Sequence, residues 1–259
     1  MKSFKTFLEE KVTSSVIFNS HGSHHNLNIT EKKFVQDTLD HDLDSEFLNK
    51  NDNRHLGKSV DDQMDKLHEL HPASEEHVKH LHKFTQNSRN LTEHLVEKHK
   101  SGQKPLPYYN GHDLNGLDSS FQPAKIKLNT YSGAGFDLRD ATPSGRSRSG
   151  NKTYEVPTYM SSSHKKDVAT RFARLNKLDG KNYQIIHWQT EPGDPIAVVG
   201  KHSDYKYEME TLHPRTHSTA EKYHIEHLGT TTYIGKTGEK YDVHHVKRIP
   251  ESKVIKPKK

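Results

Sequence analysis

The chain has 259 residues, of which 29% are hydrophobic, and its mean hydropathy is −1.03, so its core must be thin and confined to part of the sequence. No cysteine is present, which excludes disulfides, a thiol nucleophile and a cysteine-ligated zinc site. No apolar run approaches the roughly 20 residues that span a bilayer, so we expect no membrane partner. The formal charge of +5 comes from mixed rather than blocked charges, a pattern that argues against a nucleic-acid partner.

Residues 1–29 are predicted to form a leader followed by a flexible loop. The first ten residues, MKSFKTFLEE, place their apolar side chains on one face of a short helix and lack the apolar stretch of a secretory signal. His21, His24 and His25 follow in a stretch without periodicity. Clustered imidazoles can converge on a metal, but no carboxylate or cysteine stands at ligand spacing, so we interpret the stretch as a solvated loop and predict no metal site.

Residues 30–103 are predicted to form a helical region. Ser59 can cap a helix whose apolar side chains recur every three or four positions until Pro72. Ser74 can cap the next helix, and an apolar stripe then continues until Gly102. Because these helices are polar on their other faces, we expect them to pack on the domain that follows.

Residues 104–259 are dominated by predicted strands. Strands are predicted in AKIKLNTY, TYMSSS, NYQIIHWQT, IAVVG and YEMETL, a helix in KDVATRFARL, and a final hairpin in TTTYIGKTGEKYDVHHVKRI. Residues 140–157, rich in Gly, Ser, Pro and Arg, are predicted to form a flexible loop. The fold class is therefore α+β: a two-sheet β core preceded by a helical region.

Glu208 and Glu210, in YEMETL, are separated by one residue. In a strand, side chains at positions i and i+2 point to the same face. Two carboxylates on one face repel each other unless a cation or a polar substrate lies between them. Taken alone, this pattern is far more typical of a solvated edge strand with two acids than of an active site, so the assignment of a site depends on the other motifs.

The order of the motifs resembles the ADP-ribosyltransferase domain of the exoenzyme-toxin type, in the arginine-specific branch built on an Arg, a Ser-Thr-Ser and a Glu-x-Glu motif. The resemblance covers residues 78–250, and KFTQNSRNL matches the helix that precedes the family's core. NTYSG stands where the family has its Tyr-Arg-Gly strand, and YMSSS resembles Phe-x-Ser-Thr-Ser. EMETLHPRT resembles the catalytic Glu-x-Glu with its Leu and Pro-Arg tail.

The resemblance implies an enzyme that cleaves NAD+ as its co-substrate. Glu210 would stabilise the positive charge that develops on the ribose as the nicotinamide leaves, as carboxylates do in glycoside hydrolysis. Ser161 would orient Glu210, and Glu208 would lie nearer the acceptor, a guanidinium. The implied NAD+-binding positions lie in the NTYSG and YMSSS motifs and are Tyr131, Ser132, Gly133, Ser161 and Ser162. Tyr131 and Tyr159 could each stack on the nicotinamide or belong to the core.

One position departs from the family pattern. The family's NAD+-anchoring Arg would follow Tyr131, where this chain has Ser132. A hydroxyl cannot make the bidentate, charge-assisted contact of a guanidinium with a pyrophosphate. Arg139 is the nearest replacement and is the predicted anchor; otherwise NAD+ binds weakly or the domain is inactive. Arg139 could equally be a surface arginine paired with a neighbouring aspartate.

The implied function is mono-ADP-ribosylation of arginine side chains on host proteins. MKSFKTFLEE also resembles the leader of internal capsid proteins of T-even-type phages, which is cut after a Leu-x-Glu sequence, here after Glu10. That resemblance implies a location inside the virion and then in the host cytoplasm, with RNA polymerase among the possible targets. Two alternatives stay open: an inactive protein with the same fold that is packaged or used for binding, and a histidine-rich basic nucleic-acid binder.

Overall fold

The computed structural model describes most of the chain from residue 52 onward. The described residues are Phe47, 52–86, 88–133, 141–175, 182–203, 206–218, 222–235 and 238–257. The predicted leader and loop of residues 1–29, with the three clustered histidines, lie outside these ranges, and so does Arg139. The division of the chain after residues 29 and 103 stays a prediction.

The bounds of the helices are α1 (Val60–Leu70), α2 (Glu75–Gln86), α3 (Ser88–Lys100), α4 (Leu114–Ser119) and α5 (Lys166–Leu175). Helices α1 and α2 begin at the predicted caps Ser59 and Ser74. At α1, Ser59 Oγ accepts a hydrogen bond from the N–H of Asp62 at 3.0 Å, and the Asp62 carboxylate accepts one from the N–H of Ser59 at 3.1 Å. This reciprocal capping box satisfies two backbone donors that the first turn leaves without helical partners. Within the described ranges, no helix is long and apolar enough to cross a membrane.

Within the described ranges, the strands form a small two-stranded sheet and one eleven-stranded arrangement. Their bounds are β1 (Tyr108–Tyr109), β2 (His112–Asp113), β3 (Gln122–Pro123), β4 (Leu128–Ser132), β5 (Thr142–Ser147), β6 (Lys152–Glu155), β7 (Met160–Ser163), β8 (Tyr183–Thr190), β9 (Pro195–Val198), β10 (Glu210–His213), β11 (Tyr223–Ile234), β12 (Lys240–Pro250) and β13 (Val254–Ile255). β1 pairs with β2, and the order of the others is β13-β5-β6-β11-β12-β8-β4-β7-β10-β9-β3. β12 and β8 are parallel, and the other pairs are antiparallel.

The large arrangement consists of two parts that meet between β4 and β7. These strands are joined by a single register pair, Tyr131 with Ser163. Helix α1 packs the buried Leu67 against β4 and β9, whereas α2, α3 and α4 surround the buried Leu212 of β10. Helix α5 packs Ala169 against the buried face of β4, β8 and β12. The predicted fold class, α+β with a β core and a helical region, is confirmed: the structure is a curled β core with a few helices.

The prediction of a flexible loop at residues 140–157 was wrong. This segment forms the β5–β6 hairpin, in which β6 pairs with β11 and β5 pairs with β13. Gly145 lies at a register shift of this hairpin with φ +144°, and an added Cβ would lie 2.2 Å from the carbonyl oxygen of Ile255. The glycine that suggested a loop therefore permits close contact with β13, a strand more than a hundred residues later, and local composition carries no signal for such a partner.

Candidate active site

Ser161 and Glu210 lie together on neighbouring strands. β7 and β10 are antiparallel, with Ser163 opposite Glu210 and Ser161 opposite Leu212. Ser161 and Glu210 are therefore diagonal neighbours on the same face of the pair. Ser161 Oγ donates a hydrogen bond to Glu210 Oε1 at 2.6 Å. The two residues to which the resemblance assigns bond cleavage thus form one hydrogen-bonded unit.

Glu210 occupies a poorly hydrated position. Its side chain is 6% exposed, and burial raises its pKa from the ordinary 4.5 to about 7, while the hydrogen bond from Ser161 opposes part of the rise. Burial disfavours the charged form, and a hydrogen-bond donor favours it. The carboxyl group therefore titrates near neutral pH, as expected of a carboxylate that acts electrostatically on a substrate.

The raised pKa of Glu210 predicts a pH-dependent cost to stability. The folded state keeps this proton up to about pH 7, whereas the unfolded state releases it near the ordinary value of 4.5. Stability is therefore lost as the pH rises between these two values, by on the order of 3 kcal/mol in total. Glu210→Gln does not titrate, so its stability relative to the native protein should increase between pH 5 and pH 8 in denaturant unfolding.

Glu226 is a matched control, because it is also buried but has the opposite shift. Burial alone would raise its pKa, yet hydrogen bonds from Ser147, Asn151 and Lys247 lower it. Glu226 therefore stabilises the fold fully above its ordinary pKa of 4.5, so the cost of Glu226→Gln should stay nearly constant between pH 5 and pH 8 and shrink only at lower pH. If the stability difference for Glu210→Gln were the same at both pH values, the raised pKa of Glu210 would be contradicted.

Glu208 is not part of β10. The prediction that strand alternation places Glu208 and Glu210 on one face was therefore wrong. Lys206–Glu208 form a 3-10 turn, Met209 has a left-handed φ of +49°, and β10 begins only at Glu210. The turn is attached to the end of β7: Ser163 Oγ donates to the Glu208 carbonyl, and the N–H of His164 donates to the Met209 carbonyl at 3.3 Å. The position of Glu208 therefore depends on this attachment and not on strand alternation.

Both candidate nicotinamide-stacking tyrosines lie in the core of this structure. Tyr131 is 3% exposed; its ring stacks on His187 at 4.7 Å between centroids and meets the edge of Phe47 at 5.7 Å. Tyr159 is also 3% exposed, and its hydroxyl donates to Asp118. The sequence left open whether each tyrosine stacks on nicotinamide or belongs to the core, and in this structure both belong to the core. Contact of Tyr131 with NAD+ stays a prediction.

Ser132 and Gly133 make contacts inside the protein. Ser132 Oγ donates to the carbonyl of Ser161 and accepts from Trp188 Nε1 at 3.1 Å. An added Cβ on Gly133 would lie 1.4 Å from the carbonyl oxygen of Ala169 in α5. A glycine is therefore needed here for helix α5 to contact the end of β4. A contact of either residue with NAD+ stays a prediction.

Ser162 points away from Glu210 into a buried polar cluster. Its Oγ lies 2.8 Å from Thr130 Oγ1 and 2.9 Å from both the Thr211 carbonyl oxygen and His213 Nε2. Burial lowers the pKa of His213, so this imidazole is neutral. Trp188 stacks on it with centroids 4.1 Å apart. These hydrogen bonds connect β7 to β4 and to β10 on the face of the strands opposite to the Ser161 side chain.

Sequence reasoning missed the segment that precedes α1. The Asp52 carboxylate accepts hydrogen bonds from Tyr131 and, at 2.9 Å, from Lys166 Nζ. The Asn53 side chain accepts from the N–H of Asn129 at 2.9 Å and donates to its carbonyl at 2.6 Å, much as a neighbouring strand would. Asn and Asp mimic backbone groups in this way, but short polar segments have no periodicity that identifies their partners. This segment therefore supports β4 beside the candidate site.

No group of three or more His, Asp or Glu side chains in the described ranges is arranged to hold a metal ion.

The fold is shared with ADP-ribosyltransferase toxins of known structure. Plx2a, an ADP-ribosyltransferase toxin from Paenibacillus larvae, aligns over 73% of this chain and 94% of its own with a TM-score of 0.50 and 13% sequence identity. The C3 exoenzyme of Clostridium limosum aligns over 74% of this chain and 95% of its own, with a TM-score of 0.50 and 15% sequence identity. No family model and no curated protein sequence matches the chain. This chain therefore has the fold of the ADP-ribosyltransferase toxins.

Proposed function

We propose that this protein is a mono-ADP-ribosyltransferase that cleaves NAD+ and transfers ADP-ribose to arginine side chains of host proteins. The observation that supports this proposal most directly is the pair formed by the half-buried Ser161 and the buried Glu210, joined at 2.6 Å on adjacent strands of the shared fold. NAD+ is the co-substrate, and the proposal requires no metal ion.

The proposed role of Glu210 is to stabilise the charge that develops on the ribose. When the bond between nicotinamide and ribose breaks, nicotinamide leaves with the electron pair and the ribose becomes cation-like. A carboxylate in a poorly hydrated site stabilises such a charge more strongly than one in water. With a pKa of about 7, Glu210 is ionised in a large fraction of molecules at neutral pH. Ser161 favours that ionised form by donating its hydrogen bond.

The proposed role of Glu208 is to act on the acceptor. A guanidinium nitrogen that attacks the ribose must lose a proton, and a carboxylate can both orient the guanidinium and accept that proton. Glu208 precedes β10 by two residues in a turn fastened to the end of β7, and its side chain is half-buried. The resemblance associates a glutamate at this position, in place of a glutamine, with arginine as the acceptor.

A second candidate is an inactive protein with the same fold, packaged or used for binding. It is favoured by the hydroxyl of Ser132, which makes internal contacts at the position where the resemblance implies a phosphate-anchoring arginine. In the enzyme proposal, Arg139 supplies the anchor. The host is proposed to be a bacterium and RNA polymerase a possible target, because residues 1–10 resemble the leader of phage internal proteins; the protein would then act in the host cytoplasm after injection.

Incubation of the protein with adenylate-labelled NAD+ and a bacterial lysate tests these proposals. We expect nicotinamide release, label on protein, and ADP-ribose on arginine residues in mass spectra of the labelled peptides. Glu210→Gln is the matched negative control. Label on another residue type would contradict arginine specificity alone. Absence of nicotinamide release and of NAD+ binding in the native protein would favour the inactive candidate.

A further inference from the structure

The junction between the two parts of the β core lies beside the candidate site. β4 and β7 share the single register pair Tyr131 with Ser163, so their backbone pairing does not continue as far as Ser161. The side chain of Ser132 crosses this junction, and its Oγ donates a hydrogen bond to the Ser161 carbonyl. A hydrogen bond from a side chain thus joins β4 to β7 where their backbone pairing has ended.

The direction of the Ser132 hydroxyl is set by its surroundings. The side chain is 3% exposed and accepts a hydrogen bond from Trp188 Nε1 at 3.1 Å. The Trp188 ring is itself held by stacking on His213, at an interplanar angle of 13°. Because the indole N–H occupies an acceptor position of the hydroxyl, the O–H proton is left to bond the Ser161 carbonyl.

Ser161 is therefore held at two points, its carbonyl by Ser132 and its hydroxyl against Glu210. A hydrogen bond weakens steeply when its geometry is disturbed, so the backbone position of Ser161 controls the strength of its bond to Glu210. We propose that Ser132 is a positioning residue: it holds Ser161 where the serine hydroxyl can donate to Glu210. Its link to catalysis rests on the proposed function, whereas its effect on Glu210 does not.

Ser132→Ala tests this proposal through the pKa of Glu210, measured from the side-chain carboxyl signal in 13C NMR and assigned with Glu210→Gln. We expect the pKa to rise by roughly half a unit, less than the roughly 1–2 units expected when Ser161→Ala removes the donor itself. His164, which contacts Thr211 next to Glu210, has its pKa lowered to about 4 by burial, and burial also lowers that of His213. Both imidazoles therefore stay neutral while Glu210 titrates.

Kinetics separate positioning from direct binding of NAD+. If Ser132 positions Ser161, Ser132→Ala should shift the acidic limb of the pH profile of nicotinamide release to higher pH. It should also lower kcat at neutral pH, with little change in KM for NAD+. If Ser132 instead binds NAD+, KM should rise and the pKa of Glu210 should not change. That second result would overturn the proposal. Should the native protein release no nicotinamide, the proposed function fails, but the NMR titration still decides the role of Ser132.

Two further variants control for damage to the fold. Ser132→Ala leaves the Trp188 N–H without its acceptor, which by itself destabilises the protein. In the Trp188→Phe background that buried donor is already absent, so adding Ser132→Ala should cost less stability there than in the native protein, while the pKa of Glu210 still rises. Ser120→Ala is the matched control, since Ser120 is also 3% exposed and, from the position just after α4, donates to a backbone carbonyl, that of Gly116, at 2.9 Å. An unchanged pKa in Ser132→Ala, or an equal rise in Ser120→Ala, would refute positioning by Ser132.

Discussion

Glu210→Gln is expected to abolish both nicotinamide release and transfer of ADP-ribose, each by a factor of at least roughly 10²–10³, the loss seen when one preorganised transition-state contact is removed. The carboxamide has nearly the same size and can still accept the hydrogen bond from Ser161, but it has no charge to place against the ribose. The measurement is nicotinamide release beside label incorporation, for variant and native protein, at a temperature well below both unfolding midpoints.

Glu226→Gln is a suitable comparison for the Glu210 experiment, because it also removes a buried carboxylate but lies among β5, β6 and β12. It should retain activity wherever it remains folded. Native-like nicotinamide release by Glu210→Gln would contradict the proposed role of Glu210 and with it the assignment of the site.

Glu208→Gln is expected to nearly abolish transfer to arginine while leaving slow hydrolysis of NAD+, with water as the acceptor. The reason is that Glu208 is proposed to deprotonate and orient the guanidinium, whereas bond cleavage depends on Glu210. A glutamine cannot accept the guanidinium proton. The ratio of labelled protein to released nicotinamide should therefore fall sharply in this variant, although the total nicotinamide released falls much less.

The comparison of the two glutamate variants decides whether their roles differ. Equal loss of transfer and hydrolysis in both variants would contradict the division of roles without contradicting the enzyme class. Transfer to a different amino acid by Glu208→Gln would indicate that this residue selects the acceptor without being needed for transfer itself. Ser163→Ala, which removes the contact to the Glu208 carbonyl, should shift the same ratio in the same direction by a smaller factor.

The helices α1, α2, α3 and α5 and most central strands could be predicted because their signals are local. Ser59 and Ser74 cap α1 and α2 as expected, since an N-cap side chain bonds a backbone N–H two or three residues away. The strands β8 and β9 coincide with short apolar or β-branched runs, and β7 lies within the strand predicted in TYMSSS. The candidate pair Ser161–Glu210 was also predicted, but through the resemblance and not through any local pattern.

Predictions were wrong where a distant partner decides the conformation. The residues of β5 and β6 were predicted to form a loop because Gly, Ser and Pro disfavour a strand. In the structure, β6 pairs with β11 and β5 pairs with β13. Glu208 was expected on a strand because YEMETL has an alternating pattern. The bonds from Ser163 and His164 instead hold a turn with Met209 in a left-handed conformation.

The sequence by itself determined the caps of α1 and α2 and the α+β class, and through the resemblance it predicted the residues that are proposed to act on NAD+. Only the tertiary structure decided that Ser161 donates to Glu210, that Glu210 is buried enough for a pKa of about 7, and that Ser132 holds the Ser161 carbonyl. Each of these depends on the register of β7 with β10 and on where the pairing of β4 with β7 ends. Register and burial arise from contacts between segments far apart in the chain, because a one-residue slip would turn every side chain of a strand to the other face.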